Sequence, residues 1–477
     1  MSPNLLREEQ AFFYETMESE RTESGKRWST AEAKRILLIM LPLFAANVMQ
    51  LGMGVIDTVV AGKAGATDLA GVGLAGSLIS SISVLFGTII SILSPTIAKY
   101  CGAGESDKCG LLLNSAKWAA GLLIIPELLC IAACAWVFPL VSNDEAMIRV
   151  AERYLLYLLP CVPAHLLLRL LLSTFEGYGQ TRPGMLVSLL GLLVNIPANY
   201  AFVFGWGPIP ALGGAGCGLA TTIVMWFMPM CLLVIMRLSP VQRHNLNCML
   251  ARRKPNMQLC LNLLRTGLPL GLAVFFEIAF FRLLMLVIAP LGTVAVGAQQ
   301  VAINLSGLVF MLPLSIGIAA SIRAAYYVGK RDLRAFDTLV FTAGVLSLVL
   351  VACNMVLCYT CRHGIAACYT DDTAVASLAA SLIAYCVIYQ LSDSVQSLFS
   401  CLLRGCRDTA PITWICMITY WLIGFPLACI LIRTDWIIPQ AGPAGAWISF
   451  IVALTIAAIL YAARFIRTRK RIFLHRD

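Results

Sequence analysis

The amino-acid sequence predicts an all-α polytopic membrane protein with twelve transmembrane helices in two parallel six-helix repeats. Hydrophobic residues make up 59% of the 477-residue chain and charged residues only 13%, which is far from the composition of soluble domains. The charged residues lie between apolar runs, and each run has the roughly 20 residues that a helix needs to cross a hydrocarbon core of about 30 Å. Helices are expected rather than barrel strands because a helix satisfies its own backbone hydrogen bonds in lipid.

Twelve apolar segments follow the polar beginning of the chain. They cover residues 36–61, 70–97, 112–138, 149–173, 184–205, 214–236, 264–289, 296–327, 337–361, 373–402, 411–432 and 443–463. We therefore expect a cytoplasmic N-terminal tail at 1–35, a six-helix lobe at 36–236, a cytoplasmic basic linker at 237–263, a second lobe at 264–463 and a basic cytoplasmic tail at 464–477. The N-terminal tail lacks the uncharged apolar stretch of a signal peptide.

The two halves of the chain repeat each other. The matched positions are Gly177, Thr181 and Pro183 with Gly405, Thr409 and Pro411, then Pro197 with Pro426, and Ala98 and Tyr100 with Ala324 and Tyr326. The repeat length is therefore about 226 to 229 residues, and each copy holds six apolar segments. Because six is even, both copies have the same orientation in the membrane. Parallel repeats of this kind are typical of secondary transporters, whose sites lie at depth between or within the halves.

The basic residues orient the chain. Of 35 Lys and Arg, about 27 fall in the two tails and the even-numbered connections, against about five in the odd-numbered ones. By the positive-inside rule both termini are predicted to be cytoplasmic. This distribution explains the net charge of +10 without a nucleic-acid partner. The sequence contains no Gly-rich phosphate loop, so an ATP-driven pump with its own nucleotide domain is excluded, and the four histidines show no metal-ligand spacing.

Glu277 is the most informative residue, because it lies near the middle of an apolar span among Phe275, Phe276 and Phe280. An acid at the bilayer centre costs roughly 2.5–3.5 kcal/mol on insertion scales, so such residues face a bundle interior or a wet cavity and mark an ion or substrate path. The phenylalanines predict an apolar, aromatic wall suited to flat, lipophilic cations.

Asp393 in the tenth segment is the predicted partner of Glu277. Tyr389 and Gln396 share its helix face and form a polar stripe with it. Two acids in one cavity repel each other when both are ionised, and such a pair can be discharged by a sodium ion or a proton. We therefore predict that Glu277 and Asp393 bind the coupling ion, and that a sodium ion is one candidate.

Other polar residues at depth allow two interpretations. In the first segment Asp57 has Gln50 two turns earlier on its face, and Asn195 and Asn199 flank Pro197 in the fifth. Asp57 is either a structural acid close to the outer end or an ion-binding group, and the two amides are either interhelical hydrogen-bond partners or ligands.

The same two readings apply to further polar side chains. Gln300 and Asn304 in the eighth segment either complete the cavity around Glu277 or join helices. Glu127 and Arg169 are expected to form a buried structural pair, and Arg282 to reach the outer interface.

At these positions the sequence resembles the multidrug and toxic compound extrusion (MATE) family, in its NorM-like bacterial branch. The motifs are IDTVVAG around Asp57, GYGQTRPGM and NIPANY within 177–200, FFE at Glu277, YQLSDSVQ around Asp393, LRGCRDT from 403 and GPAGAW from 442. They occur in order over about residues 36 to 465. The resemblance implies two lobes around a central cleft and the export of cationic, amphipathic drugs or dyes in exchange for sodium ions or protons.

The resemblance also assigns roles to residues. It implies that Asp57, Glu277 and Asp393 are the coupling acids, that Tyr389 is an aromatic residue of the cation site, and that Asn195 and Asn199 belong to a polar cluster of the N-terminal lobe. The expected protein is a monomer without cofactors in the cell inner membrane. The alternatives are a lipid-linked precursor flippase or an exporter of a small metabolite in the same superfamily. A membrane-embedded enzyme is disfavoured, because no nucleophile, base and orienting residue share a helix face.

The predicted orientation can be tested by cysteine labelling. In a cysteine-free background, a cysteine at Arg252 or Lys254 should not react with an impermeant maleimide added to intact cells, because this loop is predicted to be cytoplasmic. A cysteine at Asp371, in a predicted outer connection, should react and serves as the control. Labelling at 252 or 254 from outside would reverse the orientation.

Overall fold

The computed structural model describes residues 28–251, 254–434, 436 and 441–474. Regular structure in these ranges is helical apart from an isolated bridge between Trp206 and Ile209. The α-helices are α1 Thr30–Ala64, α2 Ala66–Ser91, α3 Leu93–Gly102, α4 Asp107–Val141, α5 Glu145–Leu158, α6 Cys161–Gly177, α7 Arg182–Phe204, α8 Gly216–Leu238, α9 Pro240–Leu250, α10 Met257–Ile288, α11 Thr293–Lys330, α12 Leu333–Tyr369, α13 Thr373–Gly405, α14 Ala410–Cys416, α15 Phe425–Arg433 and α16 Pro443–Phe473.

The spans confirm the all-α membrane fold. In the described part of the chain, 11 helices are long and apolar enough to cross a membrane, and α5 and α6 together form a twelfth span that is bent by 52°. Pro160 lies at this bend and has no N–H to continue the helical hydrogen bonds. The sequence predicted a single segment at 149–173 here, so the break is a structural detail that hydropathy does not reveal.

The described residues form two compact units. One is Leu41–Gly271, and the other comprises residues 28–40 together with those from Leu272 onward. The first turns of α1 and α10 thus belong to a different unit from the remainder of each helix. The lobe boundaries predicted from the sequence remain predictions.

The same backbone contacts occur in both units. A methyl group on Gly177 would lie 2.9 Å from the carbonyl oxygen of Ser94, and one on Gly405 would lie 2.6 Å from that of Ser321. In both units glycine is therefore required where the last turn of one helix touches the backbone of another. Gly179, two residues after Gly177, has φ 73°, and Arg407, two residues after Gly405, has φ 60°. The repeat predicted from the motifs is thus also a repeat of helix packing and turn geometry.

Part of the basic C-terminal cluster is bound within the second unit. Asp408 accepts hydrogen bonds from Arg464 Nε at 2.8 Å and Nη2 at 3.0 Å, and from the Thr468 hydroxyl at 2.5 Å. Burial raises the pKa of Asp408, but these donors and the positive charges outweigh burial and hold the pKa below its ordinary value. Arg469 pairs with Asp337 in the same region.

A buried ion pair joins α1 to α11 within the second unit. Arg323 donates from Nε and Nη2 to the two carboxylate oxygens of Glu32, at 2.9 Å and 2.7 Å, and the Tyr327 hydroxyl donates to the same carboxylate at 2.8 Å. Glu32 and Arg323 are 1% and 0% exposed. The bidentate geometry and the third donor offset the cost of burying both charges.

We expect Arg323→Met to destabilise the protein by about 3–5 kcal/mol, because it removes the bidentate partner of the buried Glu32 carboxylate and leaves Arg35, at 3.6 Å, as its remaining counter-charge. The thermal unfolding midpoint in detergent measures this change. Arg149→Met is the control, because Arg149 and Glu145 form an exposed ion pair on α5 and such pairs contribute about 0–1 kcal/mol. Equal midpoints for Arg323→Met and the control would show that the buried pair contributes no net stability.

Candidate functional site

Glu277 on α10 is held by a short chain of hydrogen bonds within the second unit. The Tyr420 hydroxyl donates to Glu277 Oε1 at 3.2 Å, and Gln396 Nε2 on α13 donates to the Tyr420 hydroxyl oxygen at 3.0 Å. Tyr420 and Gln396 are buried, whereas Glu277 is only partly buried. Among the described residues the carboxylate therefore has one hydrogen-bond donor, and Glu277 as a whole residue is not fully buried.

Aromatic rings surround this carboxylate. Phe280 stacks on Tyr420 with centroids 5.4 Å apart and planes 8° apart. Phe276 contacts Trp421 edge-on at 6.1 Å and Phe275 at 5.9 Å. Phe275 and Phe276 are half-buried while Phe280 is fully buried, so the first two offer ring surface to a ligand and Phe280 supports Tyr420 from behind.

Asp393 lies deeper, on α13, and is 2% exposed. Its carboxylate forms a hydrogen bond with the Tyr389 hydroxyl one turn earlier on α13, and it is close enough to Glu277 for the two charges to interact. Its Oδ1 has no hydrogen-bond partner among the described residues. Tyr389 packs edge-on against Trp447 with centroids 5.5 Å apart. The structure thus brings together Glu277, Asp393, Tyr389 and Gln396.

Tyr420 was missed by the sequence analysis. It lies in Met417–Gly424, a π-helical stretch between α14 and α15, and single π turns occur frequently at functional sites. The available signal was weak, namely Thr419 and Tyr420 in the apolar run 411–432. Gln299 is buried and accepts a hydrogen bond from Trp447 Nε1 at 3.0 Å.

Asp57 forms a separate site in the first unit. Its Oδ1 accepts hydrogen bonds from Asn199 Nδ2 at 2.7 Å and Asn195 Nδ2 at 3.2 Å, and its Oδ2 accepts one from the Thr221 hydroxyl at 2.9 Å. The side-chain oxygens of both asparagines are buried and have no hydrogen-bond partner within the part of the chain that the structure describes. Sequence analysis grouped Asp57 with the two asparagines but missed Thr221 on α8.

The Asp57 cluster can bind a proton or a cation by different routes. A proton needs only a lone pair on the carboxylate. A sodium ion needs several oxygen ligands, which this cluster supplies if the two amides turn their oxygens toward Asp57. In the geometry observed here the amides donate to the carboxylate instead.

Other predicted site residues lie elsewhere. Gln50 donates to the Ser188 hydroxyl at 3.4 Å and lines a cavity with Arg169, away from the hydrogen bonds of Asp57. On the exposed face of α11, Gln300 donates to Asn304 at 3.3 Å, and neither joins the hydrogen bonds of Glu277.

Glu127 also has a different partner from the expected one. Its Oε1 lies 3.1 Å from His165 Nδ1, a hydrogen-bonded contact, and no contact with Arg169 joins it among the described residues. Sequence spacing does not reveal this pairing, because Glu127 and His165 lie on different helices.

The comparison with known families matches both halves of the chain. The MatE family model matches residues 42–201 and 269–430, one match in each half. The chain belongs to the MatE family. It is an efflux transporter of this family and not an enzyme.

Individual relatives cover nearly the whole chain. The chain is 37% identical to the multidrug resistance protein MdtK of Proteus mirabilis (strain HI4320), over 91% of this chain and 95% of the relative. The structure is similar to that of the eukaryotic MATE transporter AtDTX14, with a TM-score of 0.83 and 21% identity over 93% of this chain and 98% of that one. It is also similar to the Vibrio cholerae MATE transporter VcmN in its bent form, with a TM-score of 0.80 and 16% identity over 93% and 99%. The two structures support the fold.

We expect Tyr420→Phe to slow ion-driven efflux by about tenfold, because a hydrogen bond to a charged group contributes about 1.5–3 kcal/mol. Without this donor the ionised Glu277 is less stable, and the carboxyl holds its coupling ion too tightly to release it. The ring that stacks on Phe280 remains. Initial efflux rates in proteoliposomes measure the effect.

Tyr461→Phe is the matched control, since Tyr461 is a buried tyrosine whose hydroxyl donates to the backbone oxygen of Ile412 at 3.1 Å. Equal efflux rates in the Tyr420 variant and the unchanged protein would show that Tyr420 does not tune Glu277.

Proposed function

We propose that this protein exports amphipathic organic cations in exchange for sodium ions or protons that enter the cell. The observation that carries the proposal is the environment of Glu277. This acid lies within an apolar helix, is only partly buried and accepts one hydrogen bond among the described residues, and its tyrosine donor stacks on Phe280. Such a group attracts a lipophilic cation and also binds a small inorganic one.

The aromatic wall supports the substrate class. Burying a flat ring system contributes about 25 cal/mol per Å² of apolar surface. A cation over an aromatic face contributes roughly 0.5–2 kcal/mol more. Phe275 and Phe276 lie on the same helix as Glu277 and are half-buried, and in this proposal their rings make these contacts with the drug. The combination favours flat cationic drugs and dyes over neutral or anionic solutes.

Competition for Glu277 couples the two fluxes. A carboxyl that has bound a proton or a sodium ion no longer attracts a cationic drug, so the drug leaves as the ion arrives. Asp393 strengthens this exchange, because two carboxylates that feel each other's charge are not both ionised at low cost. Tyr389 and Gln396 hold Asp393 and Tyr420 in place.

The Asp57 cluster is a second ion site in this proposal. Its carboxylate, Asn195, Asn199 and Thr221 lie in the first unit, so an ion bound there acts on drug release at a distance. We propose that the protein is a monomer in the cell inner membrane. The distribution of Lys and Arg indicates that both termini lie in the cytoplasm.

A flippase for phosphate-bearing lipids would need several cationic side chains at membrane depth. The candidates in the sequence are Arg169 and Arg282. Arg169 shares its neighbourhood with Glu127 and His165, and Arg282 is exposed on α10. This distribution favours the export of cations.

We expect Glu277→Gln and Asp393→Asn each to abolish gradient-driven dye efflux, because the amides preserve shape and remove the charge that binds the ion. Efflux is measured in inside-out vesicles with the proton and sodium gradients collapsed one at a time, which also identifies the coupling ion. Asp371→Asn, which removes an exposed acid just before α13, is the control. If either variant, inserted at the normal level, exports dye at the original rate, that residue is not a coupling acid.

A further inference from the structure

A second pair of titratable groups lies at membrane depth in the first unit. Glu127 on α4 and His165 on α6 are each at least about three helical turns from the ends of their spans. His165 Nδ1 donates to Glu127 Oε1 at 3.1 Å. Glu127 is 0% exposed, and its Oε2 has no hydrogen-bond partner among the described residues. A buried carboxylate with one idle oxygen is costly, so a purely structural role leaves Oε2 unexplained.

The surroundings of the pair are specific. A methyl group on Gly87 of α2 would lie 3.1 Å from both His165 Nε2 and Arg169 Nε, so the two nitrogens converge on the same point of backbone. Cys161, one turn before His165, feels the charge of Glu127. In the described contacts, Arg169 and Cys161 are the other charged or titratable groups that face the pair, and α2 has no charged residue after Asp68.

The repeat relates this pair to the candidate coupling site. His165 and Asp393 are separated by the same number of residues as Gly177 and Gly405, which are matched positions of the repeat. His165 therefore occupies, on α6, the place that Asp393 occupies on α13. By the interval from Ala98 to Ala324, the counterpart of Glu277 is Leu51, which is neutral. The first unit thus has a titratable group at one of the two corresponding positions, and Glu127 supplies the acid from a third helix.

We propose that Glu127 and His165 form a second proton-binding site, which takes up and releases one proton in each transport cycle. The proposal rests on the proposed exchange function, and it adds a proton site distinct from Glu277, Asp393 and Asp57. On uptake the proton adds to the idle Oε2 of Glu127, so the acid becomes neutral and His165 keeps its hydrogen bond to Oε1. On release the proton leaves Oε2, and the carboxylate keeps its hydrogen bond with His165 at Oε1.

Both members of the pair lie beside irregular points of their helices, so a change in their protonation can alter helix geometry. His165 lies one turn after the 52° bend between α5 and α6, and Glu127 directly follows Pro126 in α4. Each member of the pair therefore lies beside a helix irregularity, where a change in hydrogen bonding moves the helix more readily than in a regular stretch.

Infrared difference spectroscopy of the purified full-length protein, between acid and alkaline pH, tests the site directly. The C=O band of a protonated acid in apolar surroundings lies at higher frequency than that of hydrated acids. We expect Glu127→Gln to lose one such band and His165→Asn to keep the band but change its pH dependence. Asp393→Asn, which removes a different buried acid, should leave the Glu127 band in place.

Transport supplies the second readout. We expect Glu127→Gln to slow proton-driven dye efflux at least about tenfold, as for a member of a proton relay, while dye affinity at fixed pH stays the same. Unchanged infrared spectra in Glu127→Gln would overturn the site, whatever ion drives transport. A lost band with unchanged efflux would overturn its part in the cycle. Full activity of Glu277→Gln would instead overturn the proposed function and leave the infrared result standing.

Discussion

A carboxylate inside an apolar helical bundle has to be matched by donors or by positive charge, and the buried acids of this protein differ in how completely they are matched. Glu32 has a bidentate arginine and a tyrosine. Asp57 has three neutral donors, and Glu277 has one. Burial costs more for a carboxylate with few donors or no counter-charge than for one with several. The three acids can therefore be ordered by the stabilisation they receive, from the permanent ion pair of Glu32 to Glu277, which is the candidate exchange site.

This series separates structural from functional acids better than burial does. Glu32 and Asp393 are both almost fully buried, yet Glu32 has no capacity left for a further cation and Asp393 has an oxygen without a partner. An acid that already holds a permanent cation cannot exchange it on the timescale of transport without breaking the fold. The acid that lacks donors gains most when a mobile ion arrives.

The repeat shows how one scaffold carries different chemistry in its two halves. The positions that set the backbone correspond, as at Gly177 and Gly405, because helix contacts at van der Waals distance allow only glycine there. The positions that carry charge diverge, as at His165 and Asp393. A transporter built from duplicated halves can therefore keep its packing and place a carboxylate in one half and an imidazole in the other.

Sequence analysis found the spans and most of the acids because both depend on local composition. A long apolar run predicts a helix, and an acid within it is conspicuous whatever its neighbours. It did not find Tyr420, Thr221 or the partner of Glu127. A hydroxyl group in an apolar segment costs little to bury, so it does not stand out in the sequence. A contact between two helices that are distant in the sequence has no characteristic residue spacing. Gln300 and Asn304 bond to each other on an exposed helix face, and their place in the substrate cavity stays a prediction.

The π-helical stretch Met417–Gly424 determines which side chains reach Glu277. A regular α-helix between Ala410 and Arg433 would place the side chains after the π stretch on a different face, because the wider turn adds residues to one rotation. The irregularity brings Tyr420 into contact with both Glu277 and Gln396. The π turn costs some local helix stability, and it places the Tyr420 hydroxyl where it donates one hydrogen bond to Glu277. Glu277 is therefore stabilised by a single donor among the described residues. In the proposed exchange, an acid with more donors binds an ion more weakly and an acid with fewer donors releases it more slowly, so the number of donors sets the balance between binding and release.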